Sequence, residues 1–277
     1  MSGFVGTQGV FKPTNSRTSP ELPSQSVSIG IAMISHKAAV VCSDGLVCFP
    51  DTPPETNFNK TFSVGEWIGV CTGVMDLGGN TPQAIIRILQ SNPSLQNLTT
   101  ECRKLLTAHS CNPDEKHIEI LLAGKGIDGP AIHRIILHLD EKNDSIKEFP
   151  LSSSGARSYV LIGEEKARQE AARWIDLSGN FERKSKASAS HLRKMTMEAI
   201  GMAVLWCGDH PSYAGYKACG GRPFSDTIGW KTGNKQITHN ENNIIAIDFP
   251  SISHEINYNE PKETIKTRRK QKHGRTR

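Results

Sequence analysis

The chain has 277 residues, 36% of them apolar, a net charge of +5 and seven cysteines. That length can bury a sizeable core in one large domain or two small ones, and no stretch nears the roughly 18 uninterrupted apolar residues of a membrane-spanning helix. Met1–Phe4 begin no basic-then-apolar leader, and the scattered cysteines contain no CxxC pair, so reduced core thiols are expected rather than disulfides or metal ligands.

Residues 1–26 hold Gly3, Gly6, Gly9, Pro13, Pro20 and Pro23 among serines and threonines. With so little apolar periodicity they read as a flexible arm or propeptide. From Val27 to Met33 large apolar residues fall on every second position, the period of a strand, and Ser28, Gly30 and Ala32 fall on its other face. A turn at Ser35-His36-Lys37 leads into Ala39–Gly45, an apolar run that reads as a buried strand delivering Asp44 at its end. Lys60 then stands at the head of a second hairpin. That hairpin turns at Gly65-Glu66 and closes with Trp67–Gly73.

After Gly73 the period becomes helical. Thr81-Pro82 starts a helix whose buried face is Ile85, Ile86, Ile88 and Leu89, and Asn92-Pro93 ends it. Leu98, Cys102, Leu105 and Leu106 mark a second helix. Strands follow at His117–Gly124, Ala131–Leu139 and Ile146–Pro150, with a turn at Gly126–Pro130 between the first two, and another strand at Ser158–Gly163. Two further helices are predicted, from Glu164 to Asp176 and from Leu192 to Trp206, with a polar loop carrying Arg183, Lys184 and Lys186 between them. The last strands are Ser225–Trp230 and Asn243–Asp248.

Strands grouped between helix pairs do not make alternating βαβ units, which argues against a doubly wound parallel sheet. The expected class is α+β: a four-layer αββα sandwich of two antiparallel sheets, each covered outside by a helix pair. The domain runs over residues 27–250. Residues 251–277 form a basic tail, since Lys262–Arg277 carry eight Lys or Arg and one Glu, a charge of +7 that leaves about −2 on the rest. So basic and apolar-poor a run does not fold by itself. It reads as a solvated tail, a nuclear import signal or a weak nucleic-acid contact. The histidines form no HxxxH or HxH pair on one predicted face, and Gly220-Gly221 leads to Arg222-Pro223 rather than to a lysine opening a helix. Neither a metal nor a phosphate-binding cofactor is therefore expected.

Asp44 and Lys60 taken alone are most simply an ion pair joining two strands. Ser28 changes the reading, because its strand is paired with the one ending at Asp44, and a serine beside a tuned lysine is a candidate nucleophile. Asp44 follows Ser28 by sixteen residues and Lys60 follows Asp44 by sixteen more. This spacing, with the apolar strand ending in Gly73, resembles the beta-type subunits of the proteasome and their bacterial relatives, members of the N-terminal nucleophile (Ntn) hydrolases. The resemblance covers roughly residues 27–248 and implies the same four-layer fold. It implies Ser28 as the nucleophile, acting through its own amine once the preceding arm is removed. Asp44 and Lys60 would be its charged partners, Gly73 the backbone donor to the oxyanion, and Asp209 and Ser212 the groups that orient Ser28.

Three positions depart from the family pattern: Val27 stands where a glycine is usual, Ser28 replaces threonine, and Glu164 stands where a serine is usual. A carboxylate at Glu164 either changes the charge of the site or caps the following helix. Two functions follow. One is peptide hydrolysis in protein degradation, with polypeptide substrates, a homo- or hetero-oligomeric ring, and cytoplasmic or nuclear location. The other is a catalytically inactive proteasome-like fold used for assembly or partner binding. No membrane partner is expected, and a nucleic-acid contact would fall to the tail.

Overall fold

The computed structural model describes residues 28–47, 55–109, 117–126, 129–139, 144–151, 158–179, 181–208, 219–230 and 238–239. They form two antiparallel five-stranded sheets and five α-helices. The first sheet contains β1 (Ile29–Ile34), β2 (Ala38–Ser43), β8 (Tyr159–Gly163), β9 (Phe224–Gly229) and β10 (Thr238–His239), in the order β10-β9-β2-β1-β8. The second contains β3 (Thr61–Val64), β4 (Trp67–Gly73), β5 (His117–Gly126), β6 (Gly129–His138) and β7 (Ser145–Pro150), in sequence order. The helices are α1 (Thr81–Ser91), α2 (Leu95–Ala108), α3 (Glu165–Leu177), α4 (Phe181–Ser185) and α5 (Ala189–Gly208).

Strand alternation decides which side chains meet. Ala32 and Ile34 of β1 and Ala39 and Val41 of β2 pack in one cluster with Ile68 and Val70 of β4, Leu121 of β5 and Ile132 of β6, so the two sheets meet through these faces. The small residues of β1 permit the approach. A Cβ on Gly30 would lie 2.9 Å from Ile162 Cγ1 and 3.1 Å from Val70 Cγ2. On the opposite face of the second sheet, Cys71, Ile118, Ile120, Leu122, Ile135 and Leu137 join Ile85 and Leu89 of α1 and Leu98, Cys102 and Leu106 of α2 in a second cluster. The remaining faces of β1 and β2 pack against α5, which lies beside α3.

The helix ends follow their sequences. The Asn80 side chain accepts from Gln83 N–H at 3.0 Å and Pro82 occupies the first turn of α1, where its missing N–H costs nothing. The turn after β1 is held by Ser35, whose hydroxyl accepts from the N–H groups of Lys37 and Ala38 (both 3.1 Å) and donates to Ala187 O at 2.8 Å.

One expectation needs correction. The polar loop carrying Arg183, Lys184 and Lys186 includes α4 (Phe181–Ser185), a helix too short to carry an apolar period. Its Lys184 is buried: the ammonium reaches Asp176 Oδ1 at 3.3 Å and lies 5.5 Å from the Tyr159 ring centre, so the aliphatic stem packs while the charge stays paired. In addition, a two-residue strand at Thr238–His239 pairs with β9. The strand expected at Asn243–Asp248 lies outside the described residues.

Candidate functional site

Three strand ends converge at one edge of the sheet interface. Ser28 immediately precedes β1, Asp44 immediately follows β2, and Lys60 immediately precedes β3. The β1–β2 register sets Gly30 opposite Ser43, so the hairpin brings Ser28 and Asp44 to the same end. Lys60 arrives from the other sheet, its carbonyl accepting from Cys71 N–H at 3.2 Å.

The Lys60 ammonium makes three short contacts: Ser28 Oγ at 2.7 Å, Asp44 Oδ1 at 2.7 Å and Leu46 O at 2.6 Å. All three of its protons are thereby directed to named acceptors. Asp44 is held in turn by two backbone donors, Ile29 N–H on Oδ1 at 3.1 Å and Gly220 N–H on Oδ2 at 3.0 Å. Asp44 and Lys60 are fully buried, and Ser28 is only 1% exposed. An ion pair so far from water is sustained by these extra hydrogen bonds, without which desolvation of the two charges would outweigh their attraction.

Backbone packing fixes the serine from behind. Glu164 N–H donates to Ser28 O at 2.9 Å. Gly163, with φ 96°, is the residue that lets β8 come so close, because a Cβ there would overlap the Ser28 carbonyl oxygen. The Glu164 carboxylate accepts from Ala167 N–H at 2.6 Å and so caps α3, which fulfils the capping alternative. The other side of the site is closed by glycines: Gly45 N–H donates to Gly220 O at 2.9 Å, and Gly221 adopts φ 70° against Thr56 O.

Gly73 ends β4 at φ 95°, with its Cα against the His117 carbonyl, two residues beyond the Cys71 that bonds Lys60. Ser28, Asp44 and Lys60 are thus brought into direct contact, and Gly73 is placed at the same end of its strand. Asp209 and Ser212 lie outside the described residues. Sequence reasoning missed the contributions of Gly220 N–H, Leu46 O and Gly163. The Gly220-Gly221 pair was a visible signal, but its partner Asp44 is 176 positions away.

A rival nucleophile stands nearby. Cys71 Sγ lies 3.6 Å from Lys60 O, yet burial pushes its thiol far above the usual range despite the neighbouring lysine charge, so it stays protonated and unreactive. Among the described residues no group of three or more His, Cys, Asp or Glu side chains could hold a metal ion.

No family model matches the chain, and no curated protein matches it by sequence. Among solved structures it is similar to Anbu (ancestral beta-subunit) from Yersinia bercovieri, at 14% identity and a TM-score of 0.50, over 76% of this chain and 86% of that one. The fold is proteasome-like. At this identity the similarity bears on fold alone, and it agrees with the two antiparallel sheets and five helices described above.

Proposed function

We propose that this chain is a beta-type, proteasome-like Ntn hydrolase that cleaves peptide bonds with Ser28 once residues 1–27 are removed. The observation that carries the reading is the Lys60 ammonium lying 2.7 Å from Ser28 Oγ and from Asp44 Oδ1 at once. A fixed positive charge at a serine oxygen favours the alkoxide that forms as the hydroxyl proton leaves. Because all three Lys60 protons are engaged, the lysine serves as that electrostatic partner rather than as the base. The base is then the amine that Ser28 acquires on processing.

In the reaction, Ser28 Oγ bonds to the substrate carbonyl carbon as its proton passes to the amine. Gly73 N–H faces the resulting oxyanion. The amine returns the proton to the leaving nitrogen as the peptide bond breaks, and water then hydrolyses the ester by the same route. Asp209 and Ser212 hold the amine in place. In this reading the helix pairs α1–α2 and α3–α5 are the outer layers of a four-layer αββα sandwich, and the chain acts on polypeptide substrates as part of a homo- or hetero-oligomeric ring.

A second reading, an inactive scaffold used for assembly, is favoured by one observation: in the chain that retains residues 1–27, Ser28 is 1% exposed, so an unprocessed chain does not present it to a substrate. The experiment is hydrolysis of a panel of fluorogenic peptides by purified protein and by Ser28→Ala. Turnover lost in Ser28→Ala supports the enzyme. Absence of turnover in a protein that already begins at Ser28 refutes it in favour of the scaffold.

A further inference from the structure

The pairing that seats Ser28 also gives it a charged neighbour. In the β1–β8 register Ile29 stands opposite Gly163, and Glu164 N–H donates to Ser28 O at 2.9 Å, so the next pair along is Ser28 and Glu164. Residues opposed in this way project to the same face of a sheet with Cβ atoms about 5 Å apart, and in a hydrogen-bonded pair each main-chain nitrogen faces the other residue. On the other flank of Ser28 the β1–β2 register, with Gly30 opposite Ser43, continues to Gly45. Of the two residues across from Ser28, Glu164 alone carries a side chain.

Capping α3 does not remove the charge of that side chain. Its Oε2 accepts from Ala167 N–H at 2.6 Å, and an accepted hydrogen bond favours the ionised carboxylate. The other charges meeting at Ser28 come from three elements. Lys60 ahead of β3 and Asp44 after β2 are one of each sign, 2.7 Å apart, and largely cancel each other. The start of α3 contributes a partial positive charge of about half a unit, and Glu165, Lys166 and Arg168 follow on its first turn. Before any cut the Ser28 nitrogen is a neutral amide; afterwards it is an amine that ionises in the neutral range.

We propose that Glu164 is the positioning residue of that amine: its carboxylate pairs with the ammonium exposed by removal of residues 1–27 and holds the nitrogen beside Ser28 Oγ. This rests on the peptidase reading above. A carboxylate so placed stabilises the charged amine, which then gives up its proton at a higher pH than an ordinary α-amine. The amine accepts the Ser28 proton only when neutral, so the acid limb of kcat/KM moves to higher pH with it. Glu164 thus orders the base and sets an alkaline working range.

The test uses the purified protein, its start at Ser28 confirmed by intact mass. The pH dependence of reductive methylation of the Ser28 amine, followed by mass analysis of the N-terminal peptide, gives its pKa. The acid limb of kcat/KM on a fluorogenic peptide gives the same quantity through turnover. The expected pKa lies above the ordinary α-amine range of about 7.7–8.0 and falls by about one unit in Glu164→Gln, whose amide oxygen still accepts from Ala167 N–H. Asp209, which the proposed mechanism also sets at the amine, is unchanged between the two forms, so the difference belongs to Glu164. Glu164→Asp keeps cap and charge and retains more than half of the elevation. A pKa within or below the ordinary range in the unaltered chain, or a change under about 0.3 unit in Glu164→Gln, overturns the proposal. The unaltered chain decides if the variants do not fold or are not cut. A chain that begins at Ser28 without turnover refutes the peptidase reading while methylation still decides this one; a chain that retains residues 1–27 refutes both.

Discussion

Replacing Lys60 with methionine keeps most of the side-chain volume and deletes the charge. The Nζ–Oδ1 distance is 2.7 Å with both groups fully buried, so at an effective dielectric of about 20 the attraction lost is roughly 6 kcal/mol before desolvation is counted. Removing one partner of a buried pair costs about 3–5 kcal/mol net, since the remaining charge stays buried and uncompensated. Ile29 and Gly220 still donate to Asp44 in the variant, which puts the expected loss near the lower end, about 3 kcal/mol. With a urea m-value of about 3 kcal/mol/M for a domain of this size, the midpoint falls by about 1 M. Unfolding followed by tryptophan fluorescence measures it. Adding Asp44→Asn to Lys60→Met removes the stranded charge and recovers about 1–2 kcal/mol. A loss under about 1 kcal/mol for Lys60→Met, or a double variant less stable than the single one, refutes the account of a strongly coupled buried pair.

Gly163→Ala and Gly65→Ala form a matched pair at positive φ. Nothing lies within 4 Å of a Cβ on Gly65, so that variant loses only about 1 kcal/mol of backbone strain, whereas Gly163→Ala also drives into the Ser28 carbonyl and loses at least about 2 kcal/mol more; equal losses by thermal unfolding contradict the packing described. Burial holds the His133 imidazole below its ordinary value of 6.5, with Glu148 opposing the shift weakly. The unfolded chain therefore binds its proton first as pH falls, so the stabilising contribution is complete above pH 6.5 and fades on acidification. Urea midpoints at several pH values decline less steeply towards acid in His133→Gln, and identical slopes count against it. Burial also pushes the Cys102 thiol up to about 12 and those of Cys42 and Cys71 higher still. Brief alkylation of the folded protein followed by peptide mass analysis leaves these three unmodified until denaturant is added, and rapid native labelling of any one of them refutes its burial.

Ser28 and Asp44 were legible together because one hairpin carries them, and residues flanking the paired strands β1 and β2 return to the same end of a sheet; Lys60 arrives from the other sheet, so its place was legible only through the spacing that carries the family resemblance. The strand period also revealed which face of β1 is small, and that face proved to be the one pressed against the other sheet. What pairs across long sequence separations was not legible. Gly220 reaches Asp44 through backbone alone, and a backbone N–H leaves no mark in side-chain pattern. Gly163 was visible only as a strand end, since nothing local announces that Ser28 lies behind it. Lys184 was read as part of a polar loop, and its approach to Asp176 and Tyr159 explains its burial. Glu164 admitted two roles because a residue that begins a helix beside a site can serve either, and the hydrogen bond to Ala167 reveals the cap.

The central claim is that Ser28 becomes an N-terminal nucleophile beside Lys60. Intact mass of the purified protein, with N-terminal sequencing of any shortened form, tests it most directly. The account predicts a chain beginning at Ser28, and a Ser28→Ala variant that keeps residues 1–27. A wild-type chain that retains residues 1–27 would leave Ser28 without its amine and contradict the proposed mechanism.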